Sequence, residues 1–216
     1  MAEFSRLEKK LTLKIVYYGP ALSGKTTNLI WLHNTISPDK SGEMMSLNTK
    51  GDRTLFFDLL PVAVTTQSNF MVKFKLFTVP GQVAHDATRK AVLSRADGVV
   101  FVADSQKNQA VNNSQSFENL ENNANRTGLD FETLPLVVQF NKRDLGGIES
   151  EEDINQIWGA SGIPVVFGSA ISGRGVAETF RKILTLVYEK LDLKYALNAK
   201  YNITLDSVLS IINGKN

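Results

Sequence analysis

Along the chain the spacing of apolar residues changes period repeatedly, and each change predicts an element. Residues 11–18, LTLKIVYY, are an apolar run rich in β-branched and aromatic side chains that stops at Gly19-Pro20, as a strand does. Thr26 to Thr35, with apolar Leu29, Ile30 and Leu32, predicts a helix. Residues 36–55 are polar and rich in Ser, Gly and Thr apart from Met44, Met45 and Leu47, a long connection of the kind that serves function in compact domains. FFDLLPVAV, residues 56–64, reads as a strand that Pro61 marks as edge or irregular. From Phe70 to Val79 the period is two, with Phe70, Val72, Phe74 and Leu76 on one face and the solvated Lys73 and Lys75 on the other. This run is expected to pair antiparallel with 56–64.

Beyond Pro80-Gly81 the pattern becomes helix and strand in alternation. A short helix at 86–95 precedes the continuous apolar run GVVFVAD, 98–104, and a polar helical stretch at 108–126 precedes LPLVVQFN, 134–141. A helix at 151–159, the strand IPVVFGS at 163–169 and the amphipathic helix VAETFRKILTLVYEKL at 176–191 complete the series. Continuous apolar strands separated by helices form a parallel sheet covered on both faces. The expected fold class is therefore α/β in three layers, a mostly parallel sheet with one antiparallel edge strand and helices on both faces. The Asn/Gln-rich 108–126 stretch is a solvated helix with a narrow buried stripe, since Phe117, Leu120 and Ala124 fall at i, i+3 and i+7.

Composition narrows the possibilities. With 216 residues and 43% hydrophobic content the chain can bury a substantial core. Its 24 basic against 22 acidic residues argue against a general affinity for nucleic acid or anionic lipid. No apolar run reaches the roughly 20 residues needed to cross a bilayer, and MAEFSRLEKK lacks the apolar core of a signal peptide. The absence of cysteine excludes disulfides, thiolate zinc sites and prenylation, and Ala2 excludes N-myristoylation. A cytoplasmic chain without a direct membrane anchor is the expectation.

The chemistry gathers at the turns. GPALSGKTT, Gly19 to Thr27, fits G-x-x-x-x-G-K-[ST] between a strand and a helix, the phosphate-binding P-loop of nucleotide-hydrolysing folds. Glycines let backbone N–H groups close around phosphates while the following helix presents its positive end. Gly19, Ala21, Leu22, Ser23, Gly24, Lys25, Thr26 and Thr27 are the candidate cradle, with Lys25 reaching the β and γ phosphates and Thr26 binding Mg²⁺. A cradle does not name the base. NKRD, Asn141 to Asp144, at the end of the 134–141 strand does: the Asp144 carboxylate can accept from guanine N1 and N2, a pattern adenine lacks. Asn141 would tie this loop to the phosphate loop, and the Lys142 stem can lie over the base. In SAISGRG, Ser169, Ala170 and Ile171 form a third loop, where the Ala170 N–H can donate to guanine O6. Three loops at successive strand ends favour GTP and GDP over ATP.

Through GPALSGKT, PGQ, NKRD and SAISGRG the chain resembles the Ras-like small GTPases over roughly residues 11–191. KIVYYGP, DRTLFFD, TVPGQV, DGVVFVADS and NKRDL make it more similar still to the bacterial gliding-motility and polarity GTPases. That resemblance implies a GTP/GDP switch in cell polarity or surface motility, activated by a roadblock-fold protein, monomeric on its own and recruited to cell poles by partners. It also implies site roles: Thr54 touches Mg²⁺ and the γ phosphate, Arg53 supplies an arginine finger in cis, Gly81 N–H senses the γ phosphate, and Gln82 orients the attacking water.

Two positions depart from the Ras-like pattern. Thr78 stands three residues before Gly81, where an aspartate ordinarily supports the metal through water, and Asp58 is the favoured substitute, with Asp52 the other candidate. Ala21 replaces a glycine beside the γ phosphate, where its methyl would crowd Gln82. A scaffold that binds GTP without hydrolysing it, or an ATP-using enzyme on the same loop, are the alternatives. Residues 1–191 are read as the GTPase domain and 192–216 as a C-terminal extension, with Thr204 capping a helix whose Leu205, Val208, Leu209 and Ile212 form an apolar stripe. The stripe packs on the domain or docks a partner. His33 and His85 have no ligand-spaced companion, and Trp31 and Trp158 are expected to pack rather than bind.

Overall fold

The computed structural model describes residues 2–48, 56–81 and 85–212. A first strand the sequence patterning did not suggest, β1 (Glu3–Ser5), runs antiparallel to β2 (Lys10–Tyr18). The strict alternation of β2 divides the core. Leu11, Leu13, Ile15 and Tyr17 point to one face, where α1 (Lys25–Thr35) and α5 (Val176–Tyr195) cover them. Val16 and Tyr18 point to the other, beneath α2 (Asp86–Leu93), α3 (Ala110–Arg126) and α4 (Glu151–Trp158). β6 (Gly98–Asp104) is apolar up to its final Asp104 because both of its faces are buried: Val100 and Val102 join the first layer, Val99, Phe101 and Ala103 the second.

Four further strands lie on the paths expected of them, and one does not. β5 (Met71–Thr78) and β6 flank β2 in parallel, followed by β7 (Leu136–Asn141) and β8 (Val165–Phe167). β4 (Phe56–Thr65) pairs antiparallel with β5, as the alternating run predicts. Beyond it β3 (Met45–Asn48) adds an outer strand inside the stretch that composition marks as loop. Pro61 falls where β3 has ended and the loop at 40–42 takes over: Gly42 N–H donates to Pro61 O and Ala63 N–H to Lys40 O, so the missing proline N–H breaks no strand ladder. The order is β3-β4-β5-β2-β6-β7-β8 with β1 beside β2.

The C-terminal stripe packs on the domain. α5 continues to Tyr195, and two short helices follow, α6 (Leu197–Tyr201) and α7 (Leu205–Leu209), where a single one was expected. Thr204 caps α7, its Oγ1 accepting from Ser207 N at 3.1 Å. Leu197, Ile203, Val208, Ile211 and Ile212 are buried in the α1/α5 layer, Tyr188 Oη donates to Ile203 O, and Lys40 Nζ donates to Ser210 O. Tyr201 also packs edge-on against Phe4, joining β1 to the extension. Trp158 packs against Phe117 and Phe140, and Trp31 lies over Gly173, so neither tryptophan forms a pocket for a ligand.

Candidate functional site

The parallel strands β2, β6, β7 and β8 end on one edge of the sheet, and the loops that leave them meet there. Gly24 is the N-cap of α1 with φ 101°, a left-handed conformation that a side chain resists. Space gives the same answer, because a Cβ at Gly24 would lie 2.2 Å from Asn141 Nδ2. That close approach lets Asn141 work. Its Nδ2 donates to Ser23 O at 2.8 Å and its Oδ1 accepts from Ala170 N at 2.8 Å, so one buried amide joins the phosphate loop, the NKRD loop and the SAI loop. The Ala170 N–H foreseen as the donor to guanine O6 is therefore engaged by Asn141 in this structure.

The other members of the three loops take varied positions. Arg143 N–H donates to Gly168 O, tying NKRD to the end of β8. Lys142 adopts φ 67° and its ammonium pairs with Asp104 Oδ2 at 2.7 Å, with Asp104 at the end of β6. Asp144 and Ile171 are exposed, whereas Ser169 is buried. Ala21 and Leu22 are exposed on the phosphate loop, Leu22 with φ 61°; Ser23 is buried, and Thr27 partly so.

At the helix start, Lys25 is buried and its Nζ donates to Gly19 O at 3.0 Å and Pro20 O at 2.6 Å. Burial, and then the like charge of Arg89, push its ammonium down to about 7, with Asp58 acting in the opposite sense. Such a lysine regains its charge when an anion enters the loop.

The candidate metal end is built across strands. Asp58, in β4, lies beside Thr26: the Thr26 hydroxyl donates to Asp58 Oδ2 at 2.6 Å. Thr78, in the neighbouring strand β5, also donates to Asp58 Oδ2, at 2.9 Å, and its hydroxyl accepts from Asp58 N at 2.8 Å. Ser46 of β3 donates to Oδ1 at 2.7 Å. The residue in the place of the usual aspartate thus holds another aspartate in position. Ser46 and this role of Thr78 were not legible in the chain, because both depend on which residues face each other across antiparallel strands.

Thr26, Ser46, Asp58, Thr78, Lys25 and Gly81 line one cavity of about 560 Å³. A hydroxyl and a carboxylate oxygen converging there suit Mg²⁺, which takes oxygen ligands and keeps several waters. Among the described residues no cluster of three His, Cys, Asp or Glu side chains offers a separate metal centre. Gly81 closes the cavity against the phosphate loop: a Cβ there would lie 2.3 Å from Ala21 Cα. Arg53, Thr54, Asp52 and Gln82 lie outside the described residues.

A lysine-bearing phosphate loop at the head of a helix, facing an asparagine-linked base loop on the same sheet edge, defines a P-loop nucleotide-binding protein. Residues 2–187 match the ADP-ribosylation factor family, and the chain belongs to that family; it is a small GTPase, as its Ras-like motifs led one to expect. It is 43% identical over 183 residues to the mutual gliding-motility protein MglA of Myxococcus xanthus (strain DK1622), a span that covers 85% of this chain and 94% of that protein. Among the described residues no helix is long and apolar enough to cross a membrane.

Proposed function

We propose that this GTPase is a GTP/GDP switch that controls gliding motility or cell polarity through effectors that read its nucleotide state. The observation that carries the reading is the double hydrogen bond of Asn141, which draws the phosphate loop and both candidate base loops onto one edge of the sheet. Similarity to MglA over most of both chains supplies the motility context. The proposed site residues are those of the three loops, with Asp144 accepting from guanine N1 and N2. In this reading Lys25 neutralises the β and γ phosphates and Gly81 N–H detects the γ phosphate.

Thr26, Asp58 and Thr54 would hold Mg²⁺, which when bound neutralises charge on the β and γ oxygens. The carboxylate of Asp58, fixed by Thr26, Ser46 and Thr78, fills the supporting role that Thr78 cannot. Hydrolysis adds the oxygen of water to the γ phosphorus and breaks the bond to the β–γ bridging oxygen, leaving GDP and phosphate. Gln82 orients that water, and Arg53, from the same chain, spreads the charge that develops on the leaving oxygen. Residues 1–191 form the GTPase domain in this proposal, and 192–216 an extension packed on it. The activating partner is a roadblock-fold, MglB-like protein, which stimulates a slow intrinsic rate, and partners bring the otherwise cytoplasmic monomer to the cell poles.

The test is nucleotide hydrolysis by the full chain with and without a roadblock-fold partner, for wild type and Arg53→Ala. The expected result is strong stimulation with GTP, none with ATP, and a loss of the order of 10³–10⁵ in the stimulated rate in the variant with GDP affinity retained. Tight GTP binding without turnover under either condition would leave a non-hydrolysing scaffold, and equal use of ATP would remove guanine recognition.

A further inference from the structure

Asp86, Asn119, Asn123 and Tyr18 form a polar cluster that belongs to none of the nucleotide loops. Asp86 is the first residue of α2, four positions after Gln82. Its Oδ1 accepts from Asn119 Nδ2 at 3.1 Å and from Asn123 Nδ2 at 2.8 Å, while Lys90 Nζ pairs with Oδ2 at 2.7 Å. Asn119 and Asn123 stand at i and i+4 on α3, one above the other, and Asn123 is fully buried. The same two amides hold Tyr18: its hydroxyl donates to Asn119 Oδ1 and accepts from Asn123 Nδ2 at 3.1 Å. Tyr18, also fully buried, is the last residue of β2 and immediately precedes Gly19, the first residue of the phosphate loop.

These contacts bound the segment that carries Gln82 on both sides. On its N-terminal side Gly81 is pressed against Ala21 of the phosphate loop. On its C-terminal side Asp86 is tied through the two asparagines to Tyr18, at the root of the same loop. Only residues 82–85 separate the two anchors, and the five Cα-to-Cα steps from Gly81 to Asp86 span at most about 18 Å even when extended. Asp86, Asn119 and Asn123 are not among the residues lining the cavity at Lys25 and Thr26, and of the three only Asn119 reaches the separate cavity beside Pro20, Ala21 and Gly81.

We infer that the Asp86–Asn119–Asn123–Tyr18 cluster is a positioning latch for hydrolysis, which references the start of α2 to the phosphate loop so that Gln82 is delivered at fixed reach over the γ phosphate. The inference rests on the reading of Gln82 as the residue that orients water. Misplacing a catalytic group by about 1 Å can cost on the order of 10²-fold in rate, so cutting the latch lowers the chemical step and leaves binding intact. Tyr18→Phe removes one hydroxyl and is the mildest cut; Asp86→Ala removes the whole anchor.

The experiment is single-turnover GTP hydrolysis, basal and with the activating partner, together with GDP and GTP affinities, for Tyr18→Phe, Asp86→Ala, Gln82→Ala and each latch variant combined with Gln82→Ala. Both latch variants are expected to slow hydrolysis roughly 10-fold or more with affinities within about 3-fold of wild type, and to add nothing in the Gln82→Ala background. A rate loss matched by an equal loss of GDP affinity would make the cluster merely structural and overturn the inference. Slow hydrolysis in Gln82→Ala with wild-type rates in both latch variants would overturn it while leaving the role of Gln82 in place. Unchanged hydrolysis in Gln82→Ala would instead remove the reading on which it rests.

Discussion

The two ends of the proposed nucleotide site are made in different ways. At the proposed base end, the loops that leave the parallel strands β2, β7 and β8 are held together by Asn141 through buried backbone groups, Ser23 O and Ala170 N. At the metal end, the polar side chains come from four elements, α1, β3, β4 and β5, and meet only because β4 and β5 pair in the register that sets Leu59 opposite Phe77 and so brings Asp58 beside Thr78. The proposed base end is a set of loops tied through buried backbone groups; the proposed metal end is a side-chain cluster at the sheet's antiparallel margin. A loop anchored by backbone partners resists rearrangement. A cluster of hydroxyl and carboxylate contacts can exchange partners when an ion or phosphate arrives, as the proposed switch requires.

Three measurements would break or sharpen that contrast. The largest effect is expected for Asn141→Ala, which leaves buried Ser23 O and Ala170 N without their partner, at about 1–3 kcal/mol for each group. GDP affinity should fall on the order of 10²-fold and the loss should be insensitive to Mg²⁺ concentration, as isothermal titration at several Mg²⁺ levels would reveal. Asp58→Asn should act in the opposite pattern, with apparent Mg²⁺ affinity in the GTP complex weakened about 10- to 100-fold, the usual range for a group that supports a metal ligand. Guanine selectivity should stay as it was; a loss of discrimination against ATP in this variant would mean that the two ends are not separable.

The smallest effect is a proton. Lys25 titrates near 7 in the folded protein, against an ordinary 10.5, because burial and the like charge of Arg89 disfavour the ammonium. Its folded value is depressed, so between about 7 and 10.5 the unfolded chain binds more protons and stability rises with pH. Below pH 7 the cost of the buried ammonium is present in full. Thermal unfolding of nucleotide-free protein should show that rise, and Lys25→Met should flatten it. Phosphate restores the charge, so GDP binding at pH 8 should take up a fraction of one proton, measurable by calorimetry in buffers of different ionisation enthalpy. Proton uptake that persists in Lys25→Met would assign the titration to another group.

Legibility followed the same division. The parallel strands β6 and β7 read as apolar runs because burial on both faces leaves few polar positions, Gln139 and the strand-end Asp104 and Asn141, and the alternation of β5 read directly because one of its faces carries Lys73 and Lys75. β3 escaped notice because it is four residues long at the sheet margin, where little burial imposes a pattern. The Asn/Gln-rich α3 read as a solvated helix through Phe117, Leu120 and Ala124, yet Asn119, half-buried, and Asn123, buried, on the adjoining face hydrogen-bond to Tyr18 and Asp86. Uncharged amides look alike whether they face water or a partner.

What the sequence determined by itself is the class of chemistry. GPALSGKTT and NKRD are contiguous, and each requires only that a strand end where its loop begins, so local periodicity suffices to place them. Tertiary structure alone decided that Thr78 supports Asp58, that Ala170 N–H serves Asn141, and that the C-terminal stripe packs on the domain. Each of those outcomes depends on contact between residues at least 20 positions apart, such as Asp58 with Thr78 and Asn141 with Ala170. Strand register and helix docking set such contacts, and no local pattern of hydrophobic and polar residues encodes them.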